Sequence, residues 1–188
     1  MKNIKGIILA GGSGTRLYPL TKTLSKQLLP LFDKPMIYYS LSILMLSKIR
    51  EVNIITSKNF IQMYQELLGN GKHLGMKFNY IIQKKPKGIA EALILSKKNI
   101  GKSDMCLILG DNVFYGNNLT TLLRQAKKSN NSCIFTYRVS NPKDYGIVKK
   151  KNNKILDIVE KPKKYIGNLA VTGLYFYKNQ AIKFAEKL

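Results

Sequence analysis

The sequence predicts an α/β fold with a largely parallel sheet, in one domain that spans residues 1–188. Apolar runs of strand length recur along the chain, and the stretches between them carry apolar residues at helical spacing. Strands that alternate with helices are typical of parallel sheets with both faces covered. No internal repeat, low-complexity tract or linker interrupts the pattern. The length and an apolar content of 45% suffice for one buried core.

Each element follows from a local pattern. The apolar runs that predict strands are 4–10, 52–56, 76–83, 105–109, 133–137 and 174–177. The stretches with helical spacing that predict helices are 36–48, 60–68, 89–97 and 119–128. Later in the chain, two short apolar runs at 145–148 and 155–159 are joined by a polar segment that contains asparagines. This arrangement predicts a small antiparallel hairpin.

A glycine-rich loop follows the first predicted strand directly and comprises Gly11, Gly12, Ser13 and Gly14. Glycines let backbone N–H groups approach phosphate oxygens closely, although a tight turn after the strand is an alternative explanation. The glycine spacing matches neither the dinucleotide fingerprint nor the P-loop. Arg16 stands just beyond the loop, and an arginine beside backbone amides can bind a phosphate through two hydrogen bonds. We therefore expect an anion site here.

A carboxylate and an amide are predicted at the same edge of the sheet. Asp111 follows the strand 105–109 through Gly110, in a chain with only ten acidic residues. Mg²⁺ is commonly bound by one or two carboxylates together with substrate phosphates, so Asp111 is the candidate metal ligand. The alternative is that Asp111 caps a following helix. Gln83 ends the strand 76–83, and its amide offers a donor and an acceptor, as the edge of a pyrimidine demands.

The formal net charge of +22 allows two interpretations. A basic surface attracts nucleic acid through counterion release. However, only four of the 32 basic residues are arginine, the residue best suited to reading bases and gripping phosphates. The lysines are scattered and accompany many asparagines and isoleucines, which have A- and T-rich codons. We interpret the charge as a solvated lysine surface and predict no specific nucleic-acid binding, with a polyanion binder as the alternative.

The cysteines and the apolar runs indicate in which cellular compartment the protein is expected. Cys106 and Cys133 lack the spacing of a metal site, and a single pair is a weak indication of a disulfide. No apolar run reaches the roughly 18 to 20 residues of a membrane span. The basic N-terminus is followed by a short apolar run and glycines, which is not the pattern of a signal peptide. These features predict a cytoplasmic protein without membrane contact.

The ordered motifs of the chain resemble a specific family. The string G-G-x-G-T-R-L-x-P-L-T-x-x-x-S-K-Q-L-L-P-x-x-D-K-P-M-I-Y-Y begins at Gly11 and is similar to sugar-nucleotide pyrophosphorylases, among them the glucose-1-phosphate thymidylyltransferases. The segment K-Q-L-L-P resembles the thymidylyl branch in particular. The resemblance extends almost to the C-terminus through the blocks L-G-D-N-V-F-Y-G, D-Y-G, E-K-P and V-T-G-L-Y-F-Y.

The resemblance implies a fold and a reaction. The fold would be the three-layer Rossmann-like nucleotide-diphospho-sugar transferase fold, with a mainly parallel mixed sheet and a small antiparallel hairpin. The reaction would join dTTP to glucose 1-phosphate, giving dTDP-glucose and pyrophosphate with Mg²⁺ as cofactor. A pyrophosphorylase for another base, such as UTP, and an inactive remnant that retains nucleotide binding are the alternatives.

The resemblance also implies the roles of individual residues. The residues implied to bind the nucleotide are Gly11, Gly12, Ser13, Gly14, Thr15, Arg16, Lys26, Gln27, Gln83, Gly88 and Asp111. The residues implied to bind the sugar phosphate are Ile89, Tyr145, Gly146, Glu160, Lys161 and Val171. Arg16, Lys26 and Lys161 would be catalytic, and Asp111 would bind the metal. Taken alone, the pair at 160–161 would be an exposed turn.

The sequence departs from the family pattern in two places, and each departure leads to a separate expectation. Glu91 replaces the usual glutamine, and we expect it to be solvated, one turn into a helix. The family continues past the position of Leu188 through another strand, a second metal-binding aspartate and C-terminal helices. A chain that ends here, whether a fragment or an eroded gene product, would lack part of the sugar pocket. It would also be less stable and form the family's homo-oligomer less readily.

Overall fold

The computed structural model describes residues 3–12, 14–151 and 154–188, and it divides the chain into two compact units. The first unit runs to Cys133 and resumes at Tyr175–Leu188, and the second is Ile134–Leu174. That both units form the one predicted domain stays a prediction. None of the helices in the described part of the chain is long and apolar enough to cross a membrane.

Ten strands and five α-helices make up the regular structure of the described residues. In chain order they are β1 Ile4–Leu9, β2 Pro30–Leu31, β3 Lys34–Pro35, α1 Ile37–Leu46, β4 Glu51–Thr56, α2 Ile61–Leu68, β5 Lys77–Ile82, α3 Ile89–Ile100, β6 Asp104–Leu109, α4 Leu119–Lys128, β7 Cys133–Arg138, β8 Gly146–Lys151, β9 Lys154–Glu160, β10 Leu169–Tyr177 and α5 Ala181–Ala185. Short 3₁₀ turns lie at Thr15–Leu17, Leu20–Lys22, Lys26–Leu28, Lys72–Leu74 and Pro142–Asp144.

The core of the first unit is a parallel arrangement of four strands in the order β5-β4-β1-β6. Ile8 of β1 pairs with Ile54 on one side and with Ile108 on the other. Successive side chains of a strand point to opposite faces of the sheet. Because consecutive residues of β4 and of β6 are buried, both faces of this sheet are covered. The carboxyl ends of the four strands therefore share one edge, where parallel sheets bind ligands.

The second unit is antiparallel. β8 and β9 form a hairpin in which Gly146 pairs with Glu160, and a register shift lies between Lys149 and Lys150. β10 pairs with β8 in antiparallel fashion through Ala170 and Ile147, and β7 pairs with β10. The predicted turn falls partly on residues 152–153, which lie outside the described residues.

The structure confirms the predicted α/β fold class, with a parallel sheet in the first unit and a small antiparallel hairpin in the second. Every predicted strand and helix is present within a few residues of its expected ends, apart from β10. That strand begins at Leu169, five residues before the predicted start, because Thr172 and Gly173 interrupt the apolar pattern on which the prediction relied. The short β2–β3 ladder and α5 were not predicted.

Candidate active site

A cleft of about 310 Å³ lies at the carboxyl edge of the first unit's parallel sheet. Three stretches of chain line it: the loop after β1, the 3₁₀ turn at Lys26–Leu28 and the turn after β6. The lining residues are Gly11, Gly12, Gly14, Thr15, Arg16, Leu17, Lys26, Gln27 and Asp111. The structure thus brings together the nucleotide-binding residues predicted from these stretches, except Ser13, which lies outside the described residues.

Backbone conformation explains the glycines of the loop. Gly12 has φ 121° and Gly14 has φ 58°, a region that favours glycine. A Cβ on Gly14 would lie 2.9 Å from Thr21 Cγ2, and the Thr21 hydroxyl donates a hydrogen bond to the Gly14 carbonyl oxygen at 2.7 Å. The chain therefore turns tightly into the 3₁₀ turn that carries Arg16, whose exposed side chain borders the cleft.

Two of the predicted site residues form an ion pair. Lys26 Nζ donates a hydrogen bond to Asp111 Oδ2 at 2.8 Å, although the residues are 85 positions apart. Both side chains are about one third exposed, so the pair faces the cleft. The interpretation of Asp111 as a helix cap is wrong, because the next helix begins at Leu119 and its N-cap is Asn118.

The donor set at the cleft fits a metal that arrives with a polyphosphate. Within the described ranges, no group of three His, Cys, Asp or Glu side chains could hold a metal ion. Asp111 is the one acid among the cleft-lining residues. Magnesium sites often consist of one or two carboxylates plus phosphate oxygens of the substrate. The residues present therefore fit a magnesium ion that would be held by Asp111 together with phosphate oxygens of a ligand.

Gln27 is held by a buried chain of hydroxyl groups. Burial raises the pKa of Tyr64 to about 12, so the hydroxyl keeps its proton at neutral pH. The Ser25 hydroxyl donates to Gln27 Oε1 at 2.7 Å, and the Tyr64 hydroxyl donates to the same oxygen at 3.4 Å. The two hydroxyl oxygens lie 2.7 Å apart. These hydrogen bonds to its side-chain oxygen hold Gln27 in place where it lines the cleft.

The segment after β5 places Gln83 and Glu91 in direct contact. Gln83 Nε2 donates to Glu91 Oε2 at 2.6 Å, and the backbone N–H of Lys87 donates to the same oxygen at 3.0 Å. The expectation that Glu91 is solvated is wrong, because its carboxylate accepts hydrogen bonds from the Gln83 side chain and from the backbone of the loop that leads into α3. Sequence reasoning missed this contact, since helical periodicity does not describe the path of the loop. Gly88 opens α3 as predicted, with φ 85°.

Four of the predicted sugar-phosphate residues lie together in the second unit. The backbone N–H of Lys161 donates to the Tyr145 carbonyl oxygen at 3.0 Å. Gly146 pairs with Glu160 across the hairpin, and a Cβ on Gly146 would lie 3.0 Å from Glu160 Oε2. The side chains of Tyr145, Glu160 and Lys161 are exposed, so they are available to a ligand.

The remaining two predicted residues lie on other elements. Val171 follows Ala170, the partner of Ile147, so the antiparallel register places Val171 level with Gly146 in the second unit. Ile89 belongs to the first unit, where it is the first residue of α3 and half-buried.

The fold and the cleft define a class of protein. A parallel sheet that presents a glycine-rich loop, an arginine and a lysine–aspartate pair beside one cleft at its carboxyl edge has the arrangement of an α/β protein with a ligand site at that edge. The chain belongs to the nucleotidyl transferase family, which it matches over residues 5–188.

Individual curated relatives are similar to the chain over nearly its whole length. The chain is 50% identical over 187 residues to a glucose-1-phosphate thymidylyltransferase of Neisseria gonorrhoeae, covering 98% of this chain and 65% of the relative. It is 48% identical over 190 residues to the enzyme of that name from Xanthomonas campestris pv. campestris (strain B100), covering 100% of this chain and 64% of the relative. The chain thus spans about two thirds of the length of these relatives.

Solved structures are similar in fold. A protein of Bacillus anthracis assigned as a glucose-1-phosphate thymidylyltransferase, in complex with sucrose, matches with a TM-score of 0.90 and 37% identity, over 98% of this chain and 75% of that one. A UDP-glucose pyrophosphorylase in complex with UDP-glucose matches with a TM-score of 0.83 and 25% identity, over 100% of this chain and 80% of that one.

Proposed function

We propose that the protein transfers a thymidylyl group from dTTP to glucose 1-phosphate, giving dTDP-glucose and pyrophosphate. The observation that carries this proposal is the cleft in which Arg16, Lys26 and Asp111 meet the glycine-rich loop. The choice of thymine and glucose rests on the curated relatives at 48–50% identity, which bear the name glucose-1-phosphate thymidylyltransferase.

The cleft would hold the triphosphate. Arg16 and the amides of the glycine-rich loop would bind its phosphate oxygens, and Lys26 would lie beside the α-phosphate. In this role Lys26 exchanges its hydrogen bond with Asp111 for one with the phosphate, which leaves the carboxylate free to bind magnesium. When bound there, magnesium would offset negative charge on the phosphates. Gln83 and Gly88 would contact the base.

The reaction requires little proton transfer. A phosphate oxygen of glucose 1-phosphate attacks the α-phosphorus of dTTP, a new P–O bond forms, and the bond to the β-phosphate oxygen breaks as pyrophosphate leaves with the electron pair. Because the nucleophile is already an anion, the protein's tasks are to bring two polyanions together and to stabilise the developing charge. Lys161 would neutralise the phosphate of the sugar, and Glu160 would accept hydrogen bonds from its hydroxyl groups.

Product formation tests the proposal. The purified chain is incubated with glucose 1-phosphate, magnesium and, in separate reactions, dTTP, UTP, CTP, ATP or GTP, and sugar nucleotide and pyrophosphate are quantified by chromatography. We expect dTDP-glucose and pyrophosphate in equal amounts, with dTTP as the best substrate. Binding of dTTP without product would instead indicate a remnant that retains only nucleotide binding, and absence of both would refute the proposal.

A second candidate is uridylyl transfer. It is favoured by the similarity to the UDP-glucose pyrophosphorylase complex, whose fold covers the whole of this chain. The same set of reactions separates the two candidates, because preference for UTP over dTTP would support the second.

A further inference from the structure

The contact between Gln83 and Glu91 determines which way the Gln83 amide points. Gln83 is 4% exposed, and its Nε2 donates to Glu91 Oε2 at 2.6 Å. An ionised carboxylate can only accept hydrogen bonds, so the amide nitrogen has to face Glu91 and the amide oxygen has to face away from it. The Lys87 N–H holds the same Glu91 oxygen at 3.0 Å, and the carboxylate lies in the first turn of α3, where negative charge is favourable.

The free oxygen of Gln83 faces the glycine-rich loop. A Cβ on Gly11 would lie 2.5 Å from Gln83 Oε1, so only glycine leaves room for this oxygen beside the cleft wall. No donor from residues 3–12, 14–151 and 154–188 forms a hydrogen bond with Oε1. In the described residues, the side-chain polar atoms that are both fully buried and without a hydrogen-bond partner are Asn53 Nδ2, Ser57 Oγ and Ser96 Oγ. Because Oε1 has no partner and is not one of these atoms, it is not fully buried. This oxygen therefore keeps contact with solvent and is available to a ligand.

We propose that Glu91 is a positioning residue that makes Gln83 a hydrogen-bond acceptor only, and thereby selects bases that carry a proton on N3. This inference rests on the proposed function, in which the base contacts Gln83. Thymine and uracil present an N3–H donor, whereas N3 of cytosine is an acceptor and would face the Gln83 oxygen without a proton between them. An unpaired polar contact of this kind is costly when it is shielded from water.

Replacement of the carboxylate by an amide removes this constraint. In the Glu91→Gln variant, residue 91 can donate or accept with almost unchanged shape, so Gln83 can turn its amide over and offer either its oxygen or its nitrogen to the base. Discrimination against cytosine should weaken, while discrimination that depends on the thymine methyl group should not change.

Nucleotide titrations test the inference. Dissociation constants for dTTP, dUTP and dCTP are measured by calorimetry with magnesium for the wild type, Glu91→Gln and Glu91→Ala. We expect the preference for dTTP over dCTP to fall about tenfold in both variants, the effect of one hydrogen bond. The preference for dTTP over dUTP should stay within twofold, because both bases carry the same N3–H.

The chain offers a matched control. Gln62 Nε2 donates to Glu66 Oε1 at 3.0 Å on the exposed face of α2, so Glu66→Gln removes the same charge from the same kind of pair away from the cleft. It should leave all three dissociation constants unchanged. Circular dichroism establishes that each variant is folded.

A readout that does not require nucleotide reports on the positioning itself. In ¹H–¹⁵N spectra, the side-chain NH₂ of Gln83 should exchange slowly with water in the wild type and quickly in Glu91→Ala. The outcomes are distinct. If the wild type binds dTTP and both Glu91 variants keep its preference over dCTP, the inference is overturned and the proposed function stands. If the wild type does not bind dTTP, the proposed function and the inference fall together.

Discussion

Two lysine–aspartate pairs flank the same strand, β6, and they differ in how completely their polar atoms are bonded. At the start of the strand, Asp104 accepts hydrogen bonds from Lys178 Nζ and from the Asn179 N–H, each at 3.0 Å. Lys178 Nζ also donates to the Ser129 carbonyl oxygen at 2.6 Å. The side chains of Asp104 and Lys178 are about 15% exposed, so the pair is almost sealed from water.

The pair beyond the other end of β6 is bonded far less completely. Asp111 accepts one hydrogen bond from the described residues, from Lys26 Nζ, and both side chains are about one third exposed to the cleft. The comparison shows that the chemical type of an ion pair does not reveal its role. The more completely bonded pair joins the chain after β10 to the parallel sheet, whereas the open pair has more bonding capacity left for a ligand.

The largest expected effect is on metal-dependent binding at the open pair. Asp111→Asn keeps the shape of the side chain but removes the charge that would hold magnesium, so dTTP affinity with magnesium should fall about 10- to 100-fold. Without metal, affinity should change little or improve, because the variant no longer repels phosphate and releases Lys26. Calorimetry with and without magnesium measures both. Intact magnesium dependence in the variant would show that Asp111 is not the metal ligand.

Arg16→Ala has an expected effect of the same size and tests whether placed charge or total charge governs binding. The loss of one charge-assisted phosphate contact, about 1.5 to 3 kcal/mol, corresponds to a decrease in dTTP affinity of about 10- to 100-fold. Lys149→Ala removes the same charge from an exposed position on β8 and should change affinity less than twofold. Equal effects of the two substitutions would show that bulk charge, rather than the cleft, attracts the nucleotide.

Asp104→Asn should affect stability instead of binding. The substitution leaves the Lys178 ammonium group without its counter-ion in a nearly sealed position, so the free energy of unfolding should fall by about 1.5 to 3 kcal/mol. Urea denaturation measures this change, while nucleotide affinity at 25 °C should stay at the wild-type value.

The matched control for this prediction is Glu186→Gln. Glu186 pairs with Lys97 on the surface, where the two side chains are 36% and 59% exposed, and such pairs contribute about 0.5 kcal/mol or less. If both substitutions destabilise the protein equally, burial does not distinguish these ion pairs.

The smallest expected effect is on DNA. A scattered lysine surface offers electrostatic attraction alone, so we expect duplex DNA to bind with a dissociation constant on the order of 10⁻⁴ to 10⁻⁶ M at physiological salt, without sequence preference. Fluorescence titrations across salt concentrations measure it. Tight binding of one DNA sequence that persists at high salt would contradict the interpretation of the net charge.

The elements of the fold could be predicted because each has a local cause. The buried runs of β1, β4 and β6 are apolar without interruption, and α4 has an apolar stripe at helical spacing, so its ends were predicted at the residues where they lie. The strand β10 was predicted short, because its first half contains small and polar residues whose burial depends on neighbouring strands.

The candidate site could be predicted as a set of residues but not as a set of contacts. The glycine-rich loop, Arg16 and Asp111 each follow a strand of the parallel sheet, and the carboxyl ends of parallel strands share an edge, so their meeting at one cleft follows from the topology. The direction of the Gln83 amide, by contrast, depends on a carboxylate that the sequence suggested was solvated.

The sequence by itself determined the fold class, the order of strands and helices and the family, because apolar periodicity and motif spacing are properties of neighbouring residues. Only the tertiary structure decided that Lys26 pairs with Asp111 across 85 positions and that Glu91 orients Gln83. The same holds for the nearly buried ion pair between Lys178 and Asp104. The physical reason is that hydrogen bonds require side-chain atoms to meet within about 3 Å. That proximity is set by the packing of whole elements, which no local pattern encodes.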